Sequence, residues 1–459
     1  MTTGKMMRAA GIVIAMTLAT AARAGGLMTN TNYHIAFDRM MARGASTEID
    51  AVYSNPAGIA WTHLGWQLSF NWQVPTQNRN ITTTFPLFTD ENHTHKFKGD
   101  ASAPFVPGLF ATYNTGKWAV GAMFGIVGSG GYVKYNEGVP MFTAPLITLL
   151  YSQSKGMLTP DTYTIDAQMK GKQYIYGGRL VGAYKITDNI SAAAGVNINY
   201  YSGYYRGHVN AILKQPVVEL VGMQLDCDQT GWGWSPFVSV DYHNDKLTLA
   251  ARYEFRTKMN PKNKTNSLGA NAINPATMQP MDQQTLMTLL GDKLSAYQDG
   301  AHTRYDMPAL LSVAAGYEFT PKLRAQLEYH FFDDKHAKMA NDRQKELTHG
   351  TQEVLAGVEY DINKTFTVSA GAQRTDYGLS DDFQTHTSFA CDSWSVGLGG
   401  AVNLNEHLRI NASYFWTMYS DYTKHTEAGV PGYCGTTLEG TDVFSRTNGV
   451  FGVGVDYKF

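Results

Sequence analysis

The last fourteen residues, Arg446 to Phe459, constrain the fold more than any other stretch of this chain. Phe451, Val453, Val455, Tyr457 and Phe459 share one parity. Gly452, Gly454, Asp456 and Lys458 share the other. A period of two marks a strand whose side chains alternate between two faces. One face here is apolar and aromatic, the other small or polar. Such a strand needs two different surroundings, one apolar and one wet.

The pattern recurs upstream. Leu408, Ile410, Ala412, Tyr414, Trp416 and Met418 share a parity, as do Val354, Ala356, Val358, Tyr360 and Ile362. Leu323, Ala325, Leu327, Tyr329 and Phe331 lie opposite Arg324, Gln326, Glu328 and His330. Tight turns at Thr187-Asp188-Asn189, His243-Asn244-Asp245, Thr320-Pro321-Lys322, Asn363-Lys364 and Asn405-Glu406 alternate with long polar segments near 207–230, 259–303, 337–349, 380–393 and 423–445. Further strands are predicted near 64–84, 101–114, 117–135 and 171–186. At the start, basic Lys5 and Arg8, an apolar stretch Ala9 to Ala22 and the small-residue site Ala22-Arg23-Ala24 form a secretory signal over residues 1–24. No later stretch reaches the ~20 apolar residues of a spanning helix. A chain that enters a membrane through strands must close them into a barrel. The expected fold is therefore all-β: an antiparallel transmembrane barrel of about 14 strands over residues 64–459, with short periplasmic turns and long outer loops, placed in a bacterial outer membrane.

Composition agrees. Only 17% of residues are charged, beside 45 glycines and 27 tyrosines, whereas soluble domains carry about 25% charged residues. A net charge of −2 with no basic stripe leaves nucleic-acid binding without support. The HExxH, GxSxG, Walker and CxxC patterns are missing, so no catalytic residue, cofactor or metal is assigned and an enzyme is not expected. His93 and His95 form an HxH with no third ligand nearby. Cys227, Cys391 and Cys434 allow at most one intramolecular bridge. Cys391 and Cys434, in neighbouring loops, are the preferred pair, and three free thiols are the alternative.

Residues 25–63 precede the first strand and form a segment long enough to plug the lumen. Within it, Arg43 to Ser46 and Asp50 to Gly58 read RGAS and DAVYSNPAG. Together with Tyr174 to Tyr200, Gly231 to Tyr242, Tyr305 to Leu323 and the closing phenylalanine, this resembles the FadL/TodX family of outer-membrane transporters of long-chain fatty acids and other hydrophobic compounds. The resemblance implies a monomeric barrel of fourteen strands, with Asn55, Pro56, Ala57 and Gly58 in a hatch. It also implies that ligand leaves sideways into the bilayer through a kink in the third strand. Gly128, Ser129, Gly130 and Gly131 interrupt that strand, and glycines inside a strand mark bulges. The alternative is that they merely begin the next loop.

The implied partners are the lipid bilayer and a hydrophobic small molecule: a fatty acid, an aromatic hydrocarbon or a detergent-like compound. Burying each CH₂ contributes ~0.8 kcal/mol, so an apolar pocket is the natural capture device. Arg252, Arg256 and Arg324 are candidates to hold a ligand carboxylate; the bland alternative pairs them with Glu254, Glu328, Glu359 and Asp361. The apolar segment Val139 to Leu150 is a candidate collecting surface or, equally, an internally packed helix. A general diffusion porin is the alternative function, and it would need an open lumen.

Overall fold

The computed structural model describes residue 27 and residues 33–274, 279–282 and 297–459. The signal expected over residues 1–24 lies outside them. Fourteen antiparallel wall segments follow one another around the barrel in chain order. They are β1 (Gly65–Thr84), β2 (Thr94–Ser102 and Val106–Asn114), β3 (Trp118–Tyr135), β4 (Tyr163–Lys185) and β5 (Ile190–Leu213). Next come β6 (Val218–His243), β7 (Leu247–Glu254 and Lys262–Asn274), β8 (Leu310–Thr320), β9 (Leu323–Phe332) and β10 (Gln352–Asp361). The circuit ends with β11 (Phe366–Asp376), β12 (Ser393–Asn403), β13 (Leu408–Tyr419, continued by Tyr422–Thr426) and β14 (Gly440–Lys458). It closes where β14 pairs with β1, from Gln67 opposite Lys458 to Thr84 opposite Thr441. Closure leaves the wall without an edge strand, as a lipid environment demands.

Alternation decides the faces. Phe70, Trp72, Leu180, Val240, Leu327, Val358, Leu398, Trp416 and Phe451 are exposed on the outside, where they meet hydrocarbon. Their inward neighbours are buried polar residues such as Gln67, Ser69, Asn71, Ser239, Glu359 and Asn411. The short turns fall where the sequence places them, and Phe459 N–H donates to Trp66 O at 3.0 Å, so both ends of the barrel meet on the short-turn side.

Two expected loops are wall instead. Residues 207–230 are a continuous hairpin of β5 and β6, with Leu213 opposite Val218. Within 259–303, Lys262–Asn274 extends β7 along β6. Strands of 23 to 26 residues in β4 to β6 are more than twice what a bilayer requires. Their outer halves rise beyond the bilayer, where Ala167, Val209, Ala211, Val221 and Met223 are buried in an apolar cluster under the outer segments.

Candidate functional site

Residues 33–63 lie inside the barrel. Helix α1 (Ile35–Met40) rests against β10 to β14, while helix α2 (Ala51–Ser54) and the turn Pro56–Trp61 rest against β2 to β7. The first contact depends on glycine. Gly357, Gly371 and Gly397 are direct neighbours across β10, β11 and β12. A Cβ at Gly357 or Gly371 would strike the Met40 carbonyl, and one at Gly397 would lie 2.9 Å from the Met41 sulfur. Gly452 on β14 leaves room for Ile35 in the same way. The helix thus seats directly on the wall backbone.

Charges fasten the segment further. Arg39 pairs with Glu359, both fully buried, and donates to Ser369 Oγ at 2.8 Å. Arg43 grips Asp50 through Nε at 2.7 Å and Nη2 at 2.8 Å. Glu48 accepts from Arg409 of β13 at 2.7 Å. Glu328 of β9 accepts the Arg43 and Gly44 amides at 3.0 and 2.8 Å. Breaking a buried pair by removing one partner costs about 3–5 kcal/mol.

The expected hatch residues lie together at the other contact. Asn55 donates to Asp241 Oδ2 of β6 at 2.7 Å and to Ser46 O at 3.0 Å, and its own Oδ1 accepts from Gly58 N. Pro56 opens the turn, where a missing N–H costs nothing. Ala57 N donates to Ser239 Oγ, and Ala57 O accepts from Ser191 Oγ at 2.9 Å. A Cβ at Gly58 would meet Ser46 O at 2.5 Å.

The wall is broken beside this segment. β2 and β3 pair from Gly108–Gly125 to Asn114–Ala119, and again from Ala101–Val133 to Gly99–Tyr135. Between those stretches residues 102–107 and 126–132 form no ladder with each other. Pro104 and Pro107 bring no N–H to the gap. On its other side β3 bulges twice against β4, at Ile126/Gly128 and at Ser129/Gly131, and Gly131 takes φ +69°. The four glycine-region residues therefore lie within the strand, at an interruption of the wall, and do not begin a loop.

A cavity of about 230 Å³ opens onto this gap. Ala101, Ala103, Val106, Ile126, Val127 and Gly128 line it from the two lips. Leu27, Tyr33 and Met41 line it from the inner segment. Arg79, Arg446 and a group of tyrosines line its outer end.

Several expectations need correction. Arg252 is buried against the inner segment: it donates to Tyr53 O and lies 3.3 Å from Glu254. Arg256 lies 3.6 Å from Asp306 and donates to His336 O. Arg324 pairs with Glu359, and with Asp361 at 2.6 Å. None of the three lines the cavity; each is engaged by a carboxylate, on the same strand for Arg252, in a loop for Arg256 and on the neighbouring strand for Arg324. The bridge between Cys391 and Cys434 is not formed; all three cysteines are free thiols, and Cys391 is buried in the apolar cluster under the outer loops. The segment Val139 to Leu150 forms helix α3 (Pro140–Gln153), whose Met141, Ala144, Leu146, Ile147 and Leu150 are buried. It packs inward and offers no broad collecting surface. His93 bonds Phe88 O and His95 bridges Asp90 and Glu137, so the two do not converge. Sequence reasoning missed Arg39, Arg43 and Arg179, which donates to Tyr53 O at 2.6 Å; inward parity was the available signal for Arg179 alone, since Arg39 and Arg43 lie off any strand.

Comparison with known proteins places this geometry. The profile described as "Outer membrane protein beta-barrel domain" matches residues 281–459. No curated protein matches the sequence. Among solved structures, a FadL homologue of Pseudomonas aeruginosa is 14% identical, with a TM-score of 0.66, and the match covers 95% of this chain and 100% of that one. The toluene transporter TodX of Pseudomonas putida is 14% identical, with a TM-score of 0.58 and coverage of 95% and 99%. The toluene transporter TbuX of Ralstonia pickettii is 13% identical, with a TM-score of 0.53 and coverage of 90% and 94%. At these identities the likeness establishes a shared fold.

Proposed function

We propose that this chain, an outer-membrane β-barrel with the FadL-type fold, takes up hydrophobic compounds by capturing them in the lumen and releasing them sideways into the bilayer. The observation that carries the reading is one cavity lined at once by the inner segment and by both lips of the β2–β3 gap. An apolar tail moving through that gap never meets bulk water, and each CH₂ kept dry contributes ~0.8 kcal/mol. A wall left unpaired beside lipid forfeits several kcal/mol per unsatisfied group, so a break held open by two bulges and two prolines makes sense as a passage. The homologue named FadL and the named toluene transporters agree in class. Long-chain fatty acids are our first candidates, with aromatic hydrocarbons and detergent-like molecules next. In this reading residues 1–24 direct export, residues 25–63 are the hatch, residues 64–459 are the barrel, and the protein works as a monomer without catalysing a reaction.

The alternative, a general diffusion porin, is disfavoured by the packed inner segment. The test is uptake of a labelled long-chain fatty acid by cells carrying the protein, with single-channel conductance measured in parallel. Saturable uptake with little conductance supports the transporter; large steady conductance without saturable uptake supports the porin.

A further inference from the structure

Arg79 on β1 and Arg446 on β14 are direct cross-strand partners at the seam that closes the barrel. Both point inward, and both line the lumenal cavity together with Tyr135, Tyr377 and Tyr419. The Arg446 guanidinium lies 4.6 Å from the Tyr419 ring. Among the described residues neither arginine has a carboxylate partner, and the Nε of each is buried without a hydrogen bond.

The Nε of Arg39, Arg252 and Arg409 is also without a hydrogen bond, but these and the other lumenal arginines named above have carboxylate partners. Arg39 pairs with Glu359, Arg43 with Asp50, Arg179 with Glu254, Arg324 with Asp361 and Arg409 with Glu48. Among the described residues these lumenal arginines are thus neutralised by acid. Like charges set directly opposite on neighbouring strands repel, and an uncompensated charge held away from water is costly. A pair of that kind facing a cavity lacks one component, an anion. The guanidinium fork matches a carboxylate in a two-point hydrogen bond.

The rest of the cavity orients such a ligand. Arg79 lies opposite Gly99 on β2, and Gly99 is opposite Tyr135 on β3. The arginines therefore sit at the paired stretch just outward of the gap. Toward the gap the two lips are apolar, with Ala101, Ala103, Val106, Ile126 and Val127, while Gln73, Gln373, Ser395 and Thr417 line other parts of the wall. A head held at the arginines leaves its tail at the gap.

We infer that Arg79 and Arg446 form an anion clamp that selects hydrophobic carboxylates over neutral hydrocarbons and alcohols of the same size. The inference rests on the uptake reading above and narrows its substrate class. It also assigns a headgroup role to residues other than the three arginines expected from the sequence.

The test is equilibrium binding to the full-length protein, purified in a neutral maltoside detergent, with dodecanoate, dodecanol and toluene as ligands. The wild type should bind dodecanoate at least about tenfold more tightly than dodecanol, the loss expected when a charge-assisted hydrogen bond is missing. R79Q/R446Q should lose that preference while keeping its affinity for dodecanol, and R79K/R446K should recover part of it. Equal wild-type affinity for dodecanoate and dodecanol overturns the clamp but leaves hydrophobic uptake standing. So does a glutamine variant that still prefers dodecanoate. Binding of none of the three ligands, together with porin-like conductance, overturns both. The wild-type comparison decides the matter even if the double variant does not assemble.

Discussion

Asn55 donates to Asp241 at 2.7 Å and so ties the inner segment to the wall on β6. Trp61 Nε1 reaches the other oxygen of the same carboxylate at 2.8 Å. One acidic side chain thereby holds both ends of the turn Pro56–Trp61. Asn55→Ala leaves Asp241 with one of these two donors, a loss of about 1–3 kcal/mol. The expected outcome is a loosened hatch: more frequent open-channel events in planar bilayers, with the barrel still heat-modifiable on gels. Unchanged conductance would show that other contacts hold the turn by themselves.

The glycine seat makes a sharper prediction. Gly371 lies directly under the Met40 carbonyl, with Gly357 and Gly397 on either side. In Gly371→Val the side chain and helix α1 cannot occupy the same place. The barrel should still close, because Gly371 keeps its ladder bonds, but α1 should leave the wall. Protease accessibility of the segment around Arg39 and Arg43, compared with the parent, is the readout. Protection equal to the parent would refute the seat.

Gly128 tests the passage. Gly128→Trp places an indole at the bulge where the cavity meets the gap. Uptake of a long-chain fatty acid should fall at least about tenfold, while binding to the purified protein changes much less. Uptake at the parent rate in a correctly assembled variant would sink lateral release through this gap.

Asp334, in the outer loop between β9 and β10, gives a pH prediction. Burial pushes its carboxyl up to about 6, although Oδ2 accepts from Thr351 N at 2.8 Å. A folded state with the higher pKa binds more protons than the unfolded chain. Its stability is therefore fully present below about 4 and is lost as pH rises through about 6. The loss is at most about 3 kcal/mol, at 1.36 kcal/mol per unit. Intrinsic-rate-corrected hydrogen exchange across 333–351 should be slower at pH 4.5 than at pH 7 in the parent. It should be nearly equal at the two values in Asp334→Asn; a difference that survives in that variant assigns the effect elsewhere.

The membrane-spanning half of the barrel was legible because alternation there is enforced by two solvents at once. Leu408 to Met418 and Phe451 to Phe459 reveal their faces without any partner. The turn residues reveal the short side, and Gly128 to Gly131 mark the interruption. The extensions of β5, β6 and β7 were not legible: their apolar residues, such as Val209, Ala211 and Val221, pack on helix α3 instead of lipid, and the polar residues between them resemble a long loop.

What the sequence determined by itself is local: the strand period, the turn chemistry, the glycines, and the resemblance of the segment around Asn55-Pro56-Ala57. Tertiary structure alone decided which charges meet. Arg252, Arg324, Arg79 and Arg446 are all inward arginines in the structure, and parity alone cannot tell them apart. Hairpin register sets Arg324 beside Asp361, the inner segment sets Tyr53 against Arg252, and closure sets Arg79 opposite Arg446. The physical reason is register. Arg324 and Arg79 meet residues on neighbouring strands, and a shift of one residue in either pairing would exchange lumen for lipid.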